Sequence, residues 1–324
     1  MKSRTAGYEL IDFGNGRKLE RYGDILVDRP CPAAEIEPSM PDEWSSAQLI
    51  YHSSRLNSGD DSRWTFAGKN LGRSEGIDSW ECAIGDLVFR LRPQTSGQIG
   101  LFPEHWNTWP WIADQVAKWL MHQRRVVLQP SDSNSSGRIS DEHPSMPHVL
   151  HLFAYTGATT LAMARMGARV THVDAMTSAV QWGRENAQLS GLGEHPIRWI
   201  SEDARKYVAR EIRRGVKYDL IVLDPPSYGH GNKGQPWEIH RDLVPLMEDC
   251  WELMSENAIG IVLTGHSPDI SFKEMRMVLE EVEGKQGSIH YQTNQAKLID
   301  MSGRVLDCGY VAKFVRSTEG SSVE

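Results

Sequence analysis

Leu220-Ile221-Val222-Leu223-Asp224-Pro225-Pro226-Ser227-Tyr228 is the most informative run in this chain. Four aliphatic residues in a row fit a short strand buried on both faces, and Asp224 then places a charge at its carboxyl end. Each of the two prolines holds φ at about −65°, so the turn after the aspartate is rigid. An ordinary strand-ending turn has no need of an aspartate, two prolines and an aromatic together. The run therefore reads as the rim of a cleft.

The same short apolar pattern recurs on both sides of it. Val149–Phe153, Arg169–Val173 and Ile197–Ile200 precede it, and Ile259–Leu263 follows. Helical spacing fills the gaps at Leu161–Met166, Ala179–Leu189 and Tyr207–Ile212. Ile239, Leu243, Leu246, Met247, Cys250, Leu253 and Met254 form a stripe of period 3.6. Phe272–Val282 reads as a further helix, with Ser288–Thr293 and Tyr310–Val315 as closing strands. Strands alternating with helices at this spacing predict an α/β fold: a doubly wound, mostly parallel, Rossmann-like sheet of seven strands. Ligands of such sheets sit beyond the carboxyl ends of the strands.

Three more candidate elements fall at those ends. Phe153-Ala154-Tyr155-Thr156-Gly157 turns the first strand into a helix, and its glycine lets backbone approach a ligand closely. No G-x-G-x-x-G is present there, so a dinucleotide pyrophosphate has no cradle, which argues against a nicotinamide-dependent oxidoreductase. Asp174, followed by Ala175, ends the second strand. Its carboxylate could accept from both ribose hydroxyls of an adenosine, and it reads equally as a helix N-cap. Asp203-Ala204 follows the third strand, where the acid could face an adenine amino group or simply cap its helix.

The series Phe153-Ala154-Tyr155-Thr156-Gly157, Val173-Asp174, Asn186, Asp203 and Leu223-Asp224-Pro225-Pro226-Ser227-Tyr228 resembles the class I S-adenosylmethionine-dependent methyltransferases. Within them it is similar to the branch of the I-type ribosomal RNA large-subunit cytosine-5 methyltransferases, over roughly residues 98 to 316. The leader Gly100-Leu101-Phe102-Pro103-Glu104-His105 resembles that branch's segment packed near the cofactor. The resemblance implies S-adenosyl-L-methionine as cofactor. It implies Phe102, His105, Phe153, Ala154, Tyr155, Thr156, Gly157, Asp174, Ala175, Asp203, Ala204 and Asp224 as cofactor-binding residues. Asp224, Pro225, Pro226, Tyr228 and His266 become the candidates for the acceptor side. One departure is chemical. A pyrimidine carbon needs a thiolate to activate it. The branch's cysteine step after the fifth strand is here Leu263-Thr264-Gly265-His266-Ser267, with none.

The chain has 324 residues, 40% of them hydrophobic, enough for two domains with real cores. Short apolar runs at Tyr8–Phe13, Asp24–Val27 and Trp80–Leu91 make residues 1–99 a β-rich domain expected to guide substrate. Residues 100–147 hold a leader helix, about His105–Arg125, and a Ser-, Asp- and Gly-rich segment from Gln129 that reads as a long mobile loop. Residues 148–324 form the methyltransferase domain. Seven of eleven tryptophans precede residue 120; packing explains most of them, though Trp106, Trp109 and Trp111 lie close to the leader.

Cys31, Cys82, Cys250 and Cys308 have neither zinc spacing nor disulfide density, so no metal site and a reducing cytoplasm are expected. No apolar run approaches a bilayer's span, so no membrane association is expected. A formal charge of −8 lacks the footprint of a nucleic-acid binder, and no DNA partner is expected. Arg205, Lys206, Arg210, Arg213, Arg214 and Lys217 could still make a local RNA-facing patch, or a solvated helix face. The expectation is thus direct methyl transfer to an RNA base without a cysteine nucleophile. A protein or small-molecule acceptor and a non-catalytic S-adenosylmethionine-binding protein are the alternatives. Nothing in the sequence sets an oligomeric state.

Overall fold

The structure, a computed structural model, describes residues 7–52, 64–66, 77–128, 146–229, 235–265, 273, 277, 280, 281 and 289–316. The chain forms two compact units. The first comprises Met1–Asn107, Gln181–Gly193 and Gln295–Gly309, and the second Thr108–Val180, Glu194–Asn294 and Tyr310–Glu324. Both are discontinuous, so no single cut in the sequence separates them.

The first unit is built on a five-stranded sheet in the order β1 (Tyr8–Gly14), β2 (Arg17–Tyr22), β3 (Ile25–Pro30), β4 (Leu49–Tyr51), β5 (Trp64–Phe66). A separate hairpin joins β6 (Trp80–Ile84) to β7 (Leu87–Leu91). Asn15 and Gly16 turn β1 into β2 with φ of 51° and 72°, the two positive values that a tight two-residue hairpin of this hand requires. β2 has no apolar alternation because its inward positions carry a polar network. Glu20 is fully buried and meets Arg29 at 2.6 Å and Lys18 at 3.1 Å. It also accepts from the hydroxyls of Tyr22 and Tyr8 at 2.9 and 3.1 Å. Burial pushes the Glu20 carboxyl up, but the Arg29 and Lys18 cations outweigh it and hold the group at about 2.

The edge of β7 is closed by side chains from a helix. Asn186 Oδ1 accepts the Arg90 N–H at 2.9 Å, and Trp182 Nε1 donates to the Arg90 carbonyl at 2.7 Å. Two residues along the strand, Ser190 Oγ bonds both the N–H and the carbonyl of Val88 at 3.0 Å. Positions 182, 186 and 190 lie four apart, one face of α3 (Thr177–Leu189) and its continuation. They take the place of a neighbouring strand.

The second unit carries a seven-stranded sheet. Its strands are β8 (His148–Leu152), β9 (Arg169–Asp174), β10 (Ile197–Ser201), β11 (Leu220–Leu223), β14 (Gly260–Gly265), β15 (Ile289–Ile299) and β16 (Val305–Arg316). They run in the order β10-β9-β8-β11-β14-β16-β15. The first five are parallel, and β16 returns antiparallel to β14. This is the doubly wound sheet expected. A short ribbon, β12 (Tyr228–Gly229) against β13 (Trp237–Glu238), follows Asp224-Pro225-Pro226-Ser227 and was not foreseen. The helices are α1 (Trp109–Leu128), α2 (Ala158–Arg165), α3, α4 (Ala204–Arg213) and α5 (Ile239–Glu252). A tight helical turn, Pro103–Thr108, leads into α1, and Pro110 sits in that helix's first turn, where its missing N–H costs nothing. The expected stripe on α5 packs as read: Leu243, Leu246, Met247 and Cys250 meet Leu150, Ile221, Ile261 and Phe314 in one core.

β15 and β16 are longer than the apolar runs alone predicted, because β15 continues through polar residues with one face buried. All but the last two residues of the loop expected at 129–147, and most of the helix expected at 272–282, lie outside the described residues.

Glu20→Ala should lower stability by about 3–5 kcal/mol, because it leaves Arg29 buried without its partner. A double replacement with apolar residues, Glu20→Leu with Arg29→Met, should recover much of that loss. Urea midpoints read this, and an unshifted midpoint for the single variant would count against a buried ion pair at the heart of this unit.

Candidate active site

The strand order reverses beside β8. The chain runs from β8 to β9 and β10 on one flank, then returns to β11 on the other. Connections leaving in opposite directions open a crevice at the carboxyl ends of β8, β9 and β11. Phe153–Gly157, Asp174 and Asp224 stand at those ends, and Asp203 follows the carboxyl end of β10.

The turn after β8 is strained. Phe153 and Tyr155 have φ of 54° and 47°, and Gly157, which caps α2, has 84°. A non-glycine residue in this region costs on the order of 1–3 kcal/mol and persists only where its surroundings enforce it. Three hydrogen bonds do so here. Ala154 N–H donates to the Val173 carbonyl at 3.1 Å, Tyr155 N–H to Asp174 Oδ2 at 2.8 Å, and Gly157 N–H to the Ala154 carbonyl at 3.0 Å. Ala154 and Thr156 are buried; Phe153 and Tyr155 are half-buried.

Asp174 thus holds the turn after β8 from the end of β9. Its other oxygen, Oδ1, accepts from Met176 N–H at 2.8 Å, across the half-buried Ala175. Burial pushes its carboxyl above the ordinary range, against the two backbone donors that lower it. Each oxygen accepts one backbone N–H bond and can accept a second. The ribose-binding and turn-capping readings are therefore compatible.

At Asp203 the helix-capping reading is realised. Its Oδ1 accepts from Arg205 N–H at 3.0 Å and Lys206 N–H at 3.3 Å, and Arg205 Nη2 meets Oδ2 at 2.8 Å. Burial raises this carboxyl, but the Arg205 guanidinium more than offsets it, and the net shift is downward. Ala204 beside it is buried.

At the end of β11, Thr264 Oγ1 donates to Asp224 Oδ1 at 2.7 Å and so sets the carboxylate's rotation from the neighbouring strand. Pro225 is buried and Pro226 exposed. The Pro226 carbonyl accepts from Trp237 Nε1 at 2.6 Å, and the Ser227 carbonyl from Ile239 N–H at 3.0 Å. Tyr228 is 64% exposed, available to a solvent-borne molecule rather than packed as core.

Trp237 draws the motifs together. Phe153 meets its ring edge-on, with centroids 4.9 Å apart, and the Arg205 guanidinium lies 5.8 Å from its centre. One indole thus touches the turn after β8, the turn after β11, and the arginine that holds Asp203. Neither Trp237 nor Thr264 stood among the expected site residues. Trp237 lies eleven residues past Pro226, and only the β12–β13 ribbon folds it back.

Other candidates are placed differently. Phe102, His105 and Asn186 belong to the first unit, where the Phe102 and His105 rings stack at 5.7 Å, and the remaining candidates belong to the second. Asn186 serves the edge of β7. His266 lies outside the described residues. The basic run on α4 is largely paired within the fold: Arg205 with Asp203 and Asp242, Arg210 with Glu202, Arg214 with Glu211, and Lys217 with the Glu252 carbonyl. Of the two readings of this run, the structure favours a solvated, internally neutralised face. Burial raises all four thiols, to about 12 for Cys82 and Cys308, and Cys31 and Cys250 shift the same way. None has the depressed value of an activated nucleophile. Among the described residues no cluster of metal-ligating side chains occurs, and no helix is long and apolar enough to cross a membrane.

Comparison with known proteins bears directly on this crevice. A solved S-adenosylmethionine-dependent methyltransferase from Agrobacterium tumefaciens is 33% identical, superposes with a TM-score of 0.78, and is matched over 97% of this chain and 92% of its own. A chain solved in complex with SAH shares the fold at 16% identity and a TM-score of 0.68, over 97% of this chain and 76% of its own. The ribosomal RNA large subunit methyltransferase K/L of Shewanella frigidimarina is 31% identical over 112 residues, 34% of this chain. That match takes in only 15% of the relative's length. The family model for S-adenosylmethionine-dependent methyltransferases matches residues 87–292, which include every strand end lining the crevice. An acidic crevice with its strained turn braced by the half-buried Asp174 carboxylate fits that cofactor, and the chain belongs to the S-adenosylmethionine-dependent methyltransferase family.

Proposed function

We propose that the enzyme methylates a base in RNA by direct transfer, with no cysteine adduct. The observation that carries the chemistry is the state of the thiols: every one is raised by burial, and none lies at the ends of β8, β11 or β14. A carbon of a pyrimidine would need such a thiolate, whereas a nitrogen or oxygen brings its own lone pair. The RNA class is supported by the ribosomal RNA methyltransferase among the relatives.

Asp174 would hold the adenosine ribose, with Asp203 and Ala204 flanking the adenine. Ala154–Gly157 and Asp224 would border the methionine end. When bound, the cofactor supplies an electrophilic methyl group on a sulfonium. The residues' own task is placement. Asp224, its rotation fixed by Thr264, orients the acceptor or takes its proton. Pro225 and Pro226 keep that carboxylate from moving, and exposed Tyr228 stacks on a planar ring. Holding the reacting atoms in line is where most of the acceleration would arise. Residues 1–99 guide the acceptor, a role consistent with their lying mostly before the stretch matched to the family.

Four outcomes are expected. Asp174→Ala should weaken S-adenosylmethionine binding by about 1.5–3 kcal/mol, the range for hydrogen bonds to a charged group. Unchanged calorimetric affinity would remove Asp174 from the site. Because burial raises this carboxyl, it takes up its proton at a pH above the point where free aspartate titrates. Protonation removes acceptor capacity, so cofactor affinity should decline on acidification from above that point, and Asp174→Asn should flatten the profile. Replacing all four cysteines with alanine should leave methyl transfer intact. Lost turnover in a folded, cofactor-binding variant, with a trapped wild-type adduct on 5-fluorocytosine RNA, would overturn direct transfer. Finally, mass spectrometry of RNA from a strain lacking the gene should show one methylated base missing, restored by the wild-type gene. An unchanged complement of methylated bases would sink the RNA reading.

A further inference from the structure

Tyr310 lies on β16 opposite Gly265, the last residue of β14. Its side chain is buried, with 3% of the residue exposed, and its hydroxyl has no hydrogen-bond partner among the described residues. A buried hydroxyl left unpaired costs about 1–3 kcal/mol. A phenylalanine would fill the same space without that cost. The fold nevertheless makes room for the oxygen. A Cβ at position 265 would overlap the Tyr310 hydroxyl and the ring carbon that bears it, so only glycine admits the phenol here.

The position is chemical rather than merely tight. Gly265 follows Thr264, which holds Asp224 at 2.7 Å. The phenol also senses Asp224 directly: burial, then the aspartate's charge, pushes its pKa up. It therefore stays protonated across the working range and can act as a donor. Asp174 and the turn after β8 lie on one flank of β11; Gly265 and Tyr310 lie on the other. The donor's adenosine belongs to the first flank, so the group that completes the Tyr310 hydrogen bond comes from the acceptor.

We propose that the Tyr310 hydroxyl is a specificity-determining donor that recognises a hydrogen-bond-accepting atom, a carbonyl or ring nitrogen, beside the atom of the acceptor that is methylated. The assignment rests on the reading of the crevice as a base methyltransferase site. It divides the recognition between two groups of opposite sense: Asp224 accepts, and Tyr310 donates. A ring edge carrying both a donor and an acceptor satisfies the pair, and an analogue lacking the acceptor leaves the phenol buried and unpaired.

The test is Tyr310→Phe in the full chain. Labelled S-adenosylmethionine and ribosomal RNA from a strain lacking the gene are the probes, and SAH calorimetry reads the cofactor side. The hydroxyl's loss should cut kcat/KM for the RNA about tenfold, mainly in kcat. SAH affinity should be unchanged, and Tm equal or higher, because an unpaired polar atom is gone. A variant as active as the wild type overturns the assignment. So does a variant that loses SAH affinity, which would put the hydroxyl on the cofactor side, or one whose Tm falls, which would mean a structural partner. A wild-type enzyme that methylates no RNA instead defeats the underlying reading, and this inference with it.

Discussion

The indole of Trp237 is the contact through which the crevice becomes one object. Its ring edge meets Phe153, its Nε1 donates to the Pro226 carbonyl, and the Arg205 guanidinium lies near its face. It is 4% exposed, so its Nε1 donor is shielded from water and would be costly to leave unpaired without the Pro226 carbonyl. Two turns from different strands are thereby fixed relative to each other by a side chain belonging to neither. Asp174 does the same on the opposite flank, with one carboxylate bonded to amides on both sides of β9's end.

This explains why the sheet was legible in the sequence and the bracing was not. Strand identity follows from local composition: Leu220–Leu223 fits a short strand buried on both faces, bounded by the charge of Asp224 and two prolines. Asp174, Asp203 and Asp224 stand where the strand ends predict. Trp237 and Thr264 act across distances in sequence that no period reports. The β12–β13 ribbon that returns Trp237 is two residues on each side, too short to show alternation. β2 was missed for a different reason. Its buried face carries Glu20, so the pattern reads polar, and only the Asn15-Gly16 turn signalled a hairpin.

Charge was the less dependable guide. Six cations on and after α4 read as a candidate patch for a polyanion, yet three of them, Arg205, Arg210 and Arg214, pair with the fold's own acids. Asp203 shows the same economy in reverse. Its carboxylate is held by its own helix and by Arg205, so what it offers a ligand is placement of the backbone beside Ala204 more than an available charge. A count of charges along a helix sees neither partner, because both come from other elements.

Strain and bracing have a common consequence for catalysis. Phe153 and Tyr155 sit in a left-handed backbone that costs free energy in the folded state. That cost is offset by the Asp174 and Val173 acceptors and by the packing of Phe153 on Trp237 before any ligand arrives. A turn held this way loses little further entropy on binding, so more of the contact energy appears as affinity and alignment. The end of β11 follows the same rule. Thr264 fixes Asp224, two prolines stiffen its turn, and Gly265 admits a phenol that only one neighbour of the right polarity can satisfy. Direct transfer to a lone pair asks for little chemistry from side chains and a great deal of positional precision. This crevice is built to supply the second.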